Sequence, residues 1–293
     1  MVTKEWKGKT EGTPCMHRCL IAALKYMPLW FVYAGAFVFV IPFYIVFAHQ
    51  GYISMYHFFR KHFKEDPLRS FLHTYLNHCR FAQVILDRFY VYGGGRFRFE
   101  IDHPELYEHL AKSESGFMIM SAHVGNYEIA GYTLMATDKR INALVFGAEA
   151  ETVMRNRQRI FAGNNLRMIP IKGDMSHLFL LNDALADGES VSIPSDRIFG
   201  SRRHLVCNFM EAPANFPLGP FLVAVQRDLP VISIHVMKTG IYRYNIYIKQ
   251  FETARDGSQT ERAKYIADQY VAFLESIVRK YPTQWFNYYE FWN

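Results

Sequence analysis

A histidine, an asparagine and a glutamate stand close together in residues 118–131, MIMSAHVGNYEIAG. His123 follows an apolar run that predicts a buried strand, and Asn126 and Glu128 open the helix expected next. A carboxylate bonded to one ring nitrogen of a histidine fixes the tautomer and leaves the other nitrogen as a base. The pattern therefore predicts a base that removes a proton from a hydroxyl or an amine. The alternative is structural: Glu128 caps a helix and His123 fills a loop.

The turn between the strand and the helix decides whether His123 and Glu128 can meet. Five residues along a single helix would point the two side chains apart, whereas a strand end followed by a helix start removes that constraint. We therefore expect Glu128 to fold back onto His123. The chain has no Gly-x-Ser-x-Gly elbow, which argues against an acyl-enzyme hydrolase.

Asp196 and Arg197 follow a second predicted strand, ESVSIPS. In open α/β sheets ligands bind outside the carboxyl ends of the strands, so both residues should share an edge with His123. Asp196 is a candidate second carboxylate partner or a ligand for an acceptor hydroxyl. Arg197 suits a phosphate.

From about residue 96 short apolar runs alternate with amphipathic stretches. This alternation predicts an α/β fold with a mostly parallel central sheet flanked by helices. The last two runs, LPVISIHVMK and YRYNIYIKQF, are joined by a short turn and should pair as an antiparallel hairpin. We divide the chain into 1–95, a leader with a membrane-associating helical region, and 96–293, the α/β domain.

The N-terminal region contains about twenty uncharged residues from Leu29 to Ala48, a length that can cross a bilayer. Three arrangements fit: a membrane span, a helix lying in the membrane interface, or a buried hairpin of soluble helices broken at Pro28 and Pro42. Interfacial aromatic residues such as Trp30 and Tyr44 favour membrane contact.

Composition excludes several functions. The formal charge of +6 favours anionic partners, but without an RNP-like motif, zinc-finger spacing or a concentrated basic tract we expect no nucleic acid. The phosphate-binding and dinucleotide-binding glycine motifs are missing. The four cysteines give neither a disulfide framework nor convincing zinc spacing, so no metal site is expected.

Residues 121–128, Ser-Ala-His-Val-Gly-Asn-Tyr-Glu, resemble the His-x-x-x-x-Asp/Glu motif of membrane acyltransferases. The Gly-Asn form resembles the lipid A biosynthesis acyltransferases, the late lauroyl and myristoyl transferases. The sequence departs from the family pattern at Met210-Glu211, where Phe-Gly is usual. Further segments are similar in the expected order: the apolar N-terminal segment, the arginine-rich 155–159, 193–197, 209–214 with Gly219-Pro220, and 281–286.

The resemblance implies a glycerolipid-acyltransferase-like fold at the cytoplasmic face of the bacterial inner membrane. The reaction would move a fatty acyl chain from acyl carrier protein, or from acyl-CoA, to a hydroxyl of a lipid A-type glycolipid precursor or related membrane lipid. The acyl donor is a substrate, and no cofactor is expected.

The resemblance also implies roles for single residues. His123 is the general base and Glu128 orients it. Oxyanion donors would come from Arg159 or Arg157 and from the backbone around Gly125. Because Arg157 and Arg159 are two positions apart on one predicted helix, only one can face the site, and Arg159 is preferred. The expected substrate-binding residues are Asn126, Arg157, Arg159, Asp196 and Arg197.

Two other functions fit the same residues. One is a lysophospholipid, aminolipid or pigment O-acyltransferase of the same family. The other is a non-catalytic membrane-docking protein in which His123 and Glu128 are incidental.

Overall fold

Seven strands form a central sheet in the computed structural model, which describes residues 13–47, 49–130, 139–146, 165–171, 176–198 and 203–292. Their order is β1-β9-β8-β2-β5-β3-β4, and all neighbours are parallel except β8 and β9. The expected mostly parallel sheet with an antiparallel hairpin is confirmed. The strands are β1 Arg98–Asp102, β2 Met118–Ser121, β3 Ile141–Phe146, β4 Leu166–Ile171, β5 Ser190–Pro194, β6 His204–Phe209, β7 Ala212–Pro217, β8 Val231–Gly240 and β9 Arg243–Phe251.

Helices cover both faces of the sheet, as a buried parallel sheet requires. Alternate residues of β2 point to opposite layers, so Met118 and Met120 join one core cluster and Ile119 joins the other. The helices are α1 Pro14–Tyr26, α2 Leu29–Gly35, α3 Ile41–Phe47, α4 His49–His62, α5 Pro67–Tyr92, α6 Pro104–Lys112, α7 Tyr127–Ala130, α8 Ser176–Ala186, α9 Leu218–Gln226 and α10 Gln259–Lys280. A 3₁₀ turn follows at Pro282–Gln284.

The apolar N-terminal segment is one continuous helix from Leu29 to Phe47, 19 residues long, in which a π-helical turn at Ala36–Val40 joins α2 to α3. By length and composition it is able to cross a membrane; its mean hydropathy is 2.2 and only 17% of it is buried. Pro28 precedes its first turn, and the break at Pro42 that the buried-hairpin alternative requires is not present. The wider π turn lies directly before Pro42, where an ordinary α-helix would meet a ring clash and a missing N–H.

Strands β6 and β7 form a separate antiparallel hairpin outside the central sheet. Its turn contains Met210 and Glu211, which both have positive φ, at 54° and 65°. Glycine adopts this backbone with less strain, which gives the departure from the Phe-Gly pattern a physical cost. Two contacts offset it: the Met210 N–H donates to Glu275 at 2.7 Å, and Glu211 pairs with Lys64 at 2.9 Å. The departure therefore lies in a hairpin turn.

Candidate active site

The His123 and Asp196 side chains meet at the carboxyl edge of the sheet. Ser121 of β2 lies opposite Pro194 of β5 in a parallel register, so the residues two positions later also face each other. The Asp196 carboxylate accepts the His123 backbone N–H on Oδ2 at 2.8 Å and the ring Nδ1 on Oδ1 at 2.8 Å. One carboxylate thus holds both the loop and the ring of the histidine.

Burial and charge set the protonation of this pair. The Asp196 side chain is 1% exposed, and burial alone would raise its pKa. At the low pH where a carboxyl group titrates, the protonated His123, its hydrogen bonds and Arg197 outweigh burial and lower the pKa of Asp196, so the carboxylate is ionised near pH 7. Burial, helped by Arg197 and opposed by Asp196, lowers the pKa of His123. The imidazole is therefore neutral near pH 7, with its proton on Nδ1 and Nε2 left as the base.

We expect the acid limb of the kcat/KM profile to lie below pH 6.5, the ordinary pKa of histidine. A base works only when deprotonated, so a lowered pKa keeps His123 active to a lower pH, and activity falls as the pH drops through that pKa. The measurement is kcat/KM against pH in buffers of constant ionic strength. An acid limb well above pH 6.5 would contradict the geometry of a buried, neutral imidazole.

Glu128 contacts helix α5 instead of His123, so the expected contact between the two motif residues is wrong. Its carboxylate accepts the Tyr92 hydroxyl at 3.0 Å and pairs with Arg88 Nε at 2.8 Å. The physical reason is that Asp196 of the neighbouring strand already occupies His123 Nδ1. A five-residue spacing cannot reveal a competitor that the sheet register brings in from 73 residues away.

Replacing Glu128 by glutamine should lower kcat far less than replacing Asp196 by asparagine, and should leave the pH profile unchanged. The new amide keeps an oxygen for Tyr92 but removes the charge that faces Arg88, so the main loss is stability, roughly 3 kcal/mol for taking one charge from a buried ion pair. Thermal unfolding and kcat are measured together. Adding Arg88→Met to Glu128→Gln should restore part of the stability, since the positive charge that faced Glu128 is then gone as well. A shifted acid limb in Glu128→Gln alone would instead tie Glu128 to the base.

The backbone N–H groups of Gly125 and Asn126 are hydrogen-bonded within the protein interior. Gly125 has φ +59°, and a Cβ there would lie 2.0 Å from the Val236 carbonyl oxygen, so only glycine fits. Its N–H donates to Gln284 O at 2.8 Å, and the Asn126 N–H donates to Val236 O at 2.8 Å. Of the backbone around Gly125 that was expected to supply oxyanion donors, the Gly125 and Asn126 N–H groups are therefore bonded elsewhere.

The C-terminal segment holds this loop from the other side. The Phe286 N–H donates to His123 O at 2.9 Å, and Asn77 of α5 donates to the carbonyl of the fully buried Trp285 at 2.7 Å. The Gln284 amide bonds both backbone groups of Lys238, each at 2.9 Å. The sequence placed Gln284 and Trp285 only in a segment that resembles the family. It did not predict that they position His123.

A buried polar cluster lies behind the loop and was also missed. Asn126 donates to the Tyr244 hydroxyl at 3.2 Å, so this side chain, only 2% exposed, binds the sheet. Tyr244 and Tyr33 both donate to Asp87 of α5, which also pairs with Lys238 Nζ at 2.6 Å. Asp87 is fully buried and three donors satisfy it, as a buried carboxylate requires. The cluster links the apolar helix, α5 and the loop.

Three arginines were predicted to bind substrate, and the structure describes one of them. Arg197 donates to Phe286 O, and its guanidinium lies 5.7 Å from the centre of the Tyr289 ring, so it braces the C-terminal segment. Arg157 and Arg159 lie outside the described residues. Within those residues no group of three or more histidine, cysteine or acidic side chains is arranged to hold a metal ion.

A histidine–aspartate pair at the carboxyl edge of a parallel sheet defines an α/β protein equipped for base chemistry on a hydroxyl. The family model described as bacterial lipid A biosynthesis acyltransferase matches residues 96–292. The chain belongs to this acyltransferase family, as its motifs predicted.

Other comparisons add little. The search of curated proteins found no match. Among solved structures, the 1-acyl-sn-glycerophosphate acyltransferase PlsC from Thermotoga maritima is similar at a TM-score of 0.39 and 12% identity, over 92% of this chain and 98% of that chain.

Proposed function

We propose that this protein moves a fatty acyl chain from acyl carrier protein, or acyl-CoA, to a hydroxyl of a lipid A-type glycolipid precursor or related lipid. Membership of the acyltransferase family supports the reaction class. The observation that carries the proposal is the bond between His123 Nδ1 and the ionised Asp196, because it leaves Nε2 as a base at the sheet edge.

The reaction uses that base twice. His123 Nε2 takes the proton of the acceptor hydroxyl while the oxygen attacks the thioester carbonyl carbon, which becomes a tetrahedral oxyanion. Asp196 stabilises the imidazolium that forms. When the oxyanion collapses, the carbon–sulfur bond breaks and the thiolate takes the proton back from Nε2. The products are an ester and a free thiol, so protons and charge balance without a metal or cofactor.

The other predicted residues divide into two roles. Glu128 and Asn126 position the loop through Arg88, Tyr92 and Tyr244. In this proposal Arg159, or Arg157, supplies the positive charge that the oxyanion needs, because the Gly125 and Asn126 amides are already bonded elsewhere.

The proposed location is the cytoplasmic face of the bacterial inner membrane. Two observations support a membrane: the apolar helix Leu29–Phe47 is mostly exposed, and residues 14–64 contain no acidic side chain. A lipid acceptor and its enzyme then share one surface, which raises the local concentration of the acceptor.

Lipid mass spectrometry tests the function. Cells that lack the protein are complemented with the wild type or with His123→Ala, and the mass lost on deletion identifies the acceptor and acyl chain together. Restoration by the wild type alone supports the proposal, and a loss confined to a phospholipid, aminolipid or pigment ester would move the acceptor to that class. If His123→Ala restores the same lipid, the protein acts as a non-catalytic scaffold. Purified enzyme given acyl carrier protein or CoA thioesters then identifies the donor.

A further inference from the structure

We propose that the helix Leu29–Phe47 lies within one leaflet, and that α5 supplies a second row of side chains to the same lipid-facing surface. The apolar helix would then not cross the bilayer, and α1 and the α/β domain would face the same aqueous compartment. This inference rests on the proposed membrane location and adds the surface and orientation through which the protein meets the lipid.

Both ends of the apolar helix are fastened to the same α/β domain. At its start, the Leu29 N–H donates to the hydroxyl of Tyr242, in the turn between β8 and β9, at 3.3 Å. At its end, α4 begins at His49, and Met55 and Phe59 of α4 are fully buried in the main core. A helix of 19 residues is about 28 Å long, enough to cross a bilayer only if its ends lie on opposite sides. Here the chain leaves and returns to one domain.

The middle of the helix is also covered on one side. Leu29, Tyr33, Phe37 and Ile41 are spaced by four and form its inner stripe; all but the partly buried Phe37 are at most 5% exposed. Helix α5 contacts this stripe, since Tyr75 donates to the Phe37 carbonyl and Tyr33 donates to Asp87. A helix that spans a membrane alone contacts lipid around its whole circumference. In this helix only the outer face is free to contact lipid.

The outer face continues from the apolar helix onto α5. On the helix, Phe39 is 77% exposed and Phe47 is 70% exposed. On α5, four apolar residues at helical spacing also point outward: Leu68 at 69%, Phe71 at 51%, Leu72 at 50% and Leu76 at 44%. Soluble proteins rarely expose so many large apolar side chains on two helices that pack together, so the face requires an apolar partner.

The basic charge of the N-terminal segment favours a bilayer as that partner. Residues 14–64 carry no acidic side chain but five basic ones: Arg18, Lys25, Arg60, Lys61 and Lys64. Basic residues beside an apolar face suit an anionic leaflet, although Lys64 of these five also pairs with Glu211. A second protein with an apolar face would not need a flank of one sign.

Native cysteines test the orientation. Cys15 and Cys19 of α1 are exposed, while Cys79 and Cys207 are buried. An impermeant maleimide is applied to right-side-out and inside-out membrane vesicles that contain the full chain. The matched reporter for the α/β domain is Asp256→Cys in a Cys15→Ser, Cys19→Ser background, because Asp256 is exposed in the loop before α10.

The proposal expects Cys15, Cys19 and the residue-256 thiol to react in the same vesicle type. Reaction of the α1 thiols in one type and of the residue-256 thiol in the other would overturn it and leave the enzymatic proposal standing. If the wild-type chain stays in the soluble fraction, the proposed membrane location itself fails.

Nitroxide labels test the composite surface. Single cysteines replace Leu72 and Leu76 on α5, with Val206 on β6, 53% exposed, as the matched control and Phe179 on α8, 74% exposed, as a more exposed one. In vesicles of phosphatidylethanolamine and phosphatidylglycerol, oxygen collisions should exceed nickel-chelate collisions at 72 and 76, and the order should reverse at both controls. Water-like accessibility at 72 and 76 would exclude α5 from the lipid surface.

Discussion

Replacing His123 by alanine is expected to lower kcat for acyl transfer by about 10²–10⁴-fold, the usual contribution of a general base. The loss should fall on kcat because the imidazole removes a proton in the transition state and does little to hold either substrate in the ground state. The fold should survive, since the ring is 14% exposed and has one hydrogen-bond partner, Asp196, within the described part of the chain.

The measurement is steady-state transfer to the acceptor lipid in vesicles, together with thermal unfolding of each variant. His109→Ala serves as the matched control, because His109 is exposed on α6 and outside the site. A His123→Ala enzyme that keeps wild-type kcat would remove the histidine from the chemistry. A variant that unfolds early would be replaced by His123→Gln, which preserves more of the side-chain volume.

Replacing Asp196 by asparagine is expected to lower kcat by about 10²–10⁴-fold, and its effect differs in kind from that of His123→Ala. The amide retains one oxygen for the His123 N–H but has no negative charge for the imidazolium, and its NH₂ group favours the wrong ring tautomer. Asp196 alone favours the protonated imidazole, while burial and Arg197 disfavour it. The pKa of His123 should therefore fall further in this variant.

The pH profile separates this role from a structural one. Residual activity of Asp196→Asn should show an acid limb shifted to lower pH than in the wild type, because loss of the carboxylate makes protonation of His123 harder. Glu128→Gln, the matched carboxylate-to-amide change at the other acidic motif residue, should leave the limb in place. Equal shifts in both variants would show that the two carboxylates act on the ring alike.

Local signals predicted much of the architecture. Asp66 and Pro67 are local signals for the start of α5, and the Asp66 carboxylate accepts the Leu68 and Arg69 N–H groups, each at 3.0 Å. Strand β2 and its continuation into His123 followed from an apolar run and the residues after it. Such features depend on neighbours within a few residues, so a single sequence contains them.

The carboxylate partner of His123 depended on strand order instead. The sequence placed Asp196 and His123 on one edge, but only the pairing of β2 with β5 puts them opposite each other. The role of Gln284 also depends on a contact between distant residues, because its side chain bonds backbone groups of Lys238, 46 residues away. Contacts of this range leave no periodic signal in the sequence.

Gln284, Trp285 and Phe286 have a consequence for biosynthesis. These residues are translated well after the His123 loop, yet backbone hydrogen bonds of Gln284 and Phe286 complete that loop. A nascent chain therefore contains its apolar helix before residues 284–286 are available to complete the loop that carries the proposed base. The helix that we propose meets lipid thus forms before the loop that we propose for catalysis is complete, so binding to the membrane can precede activity.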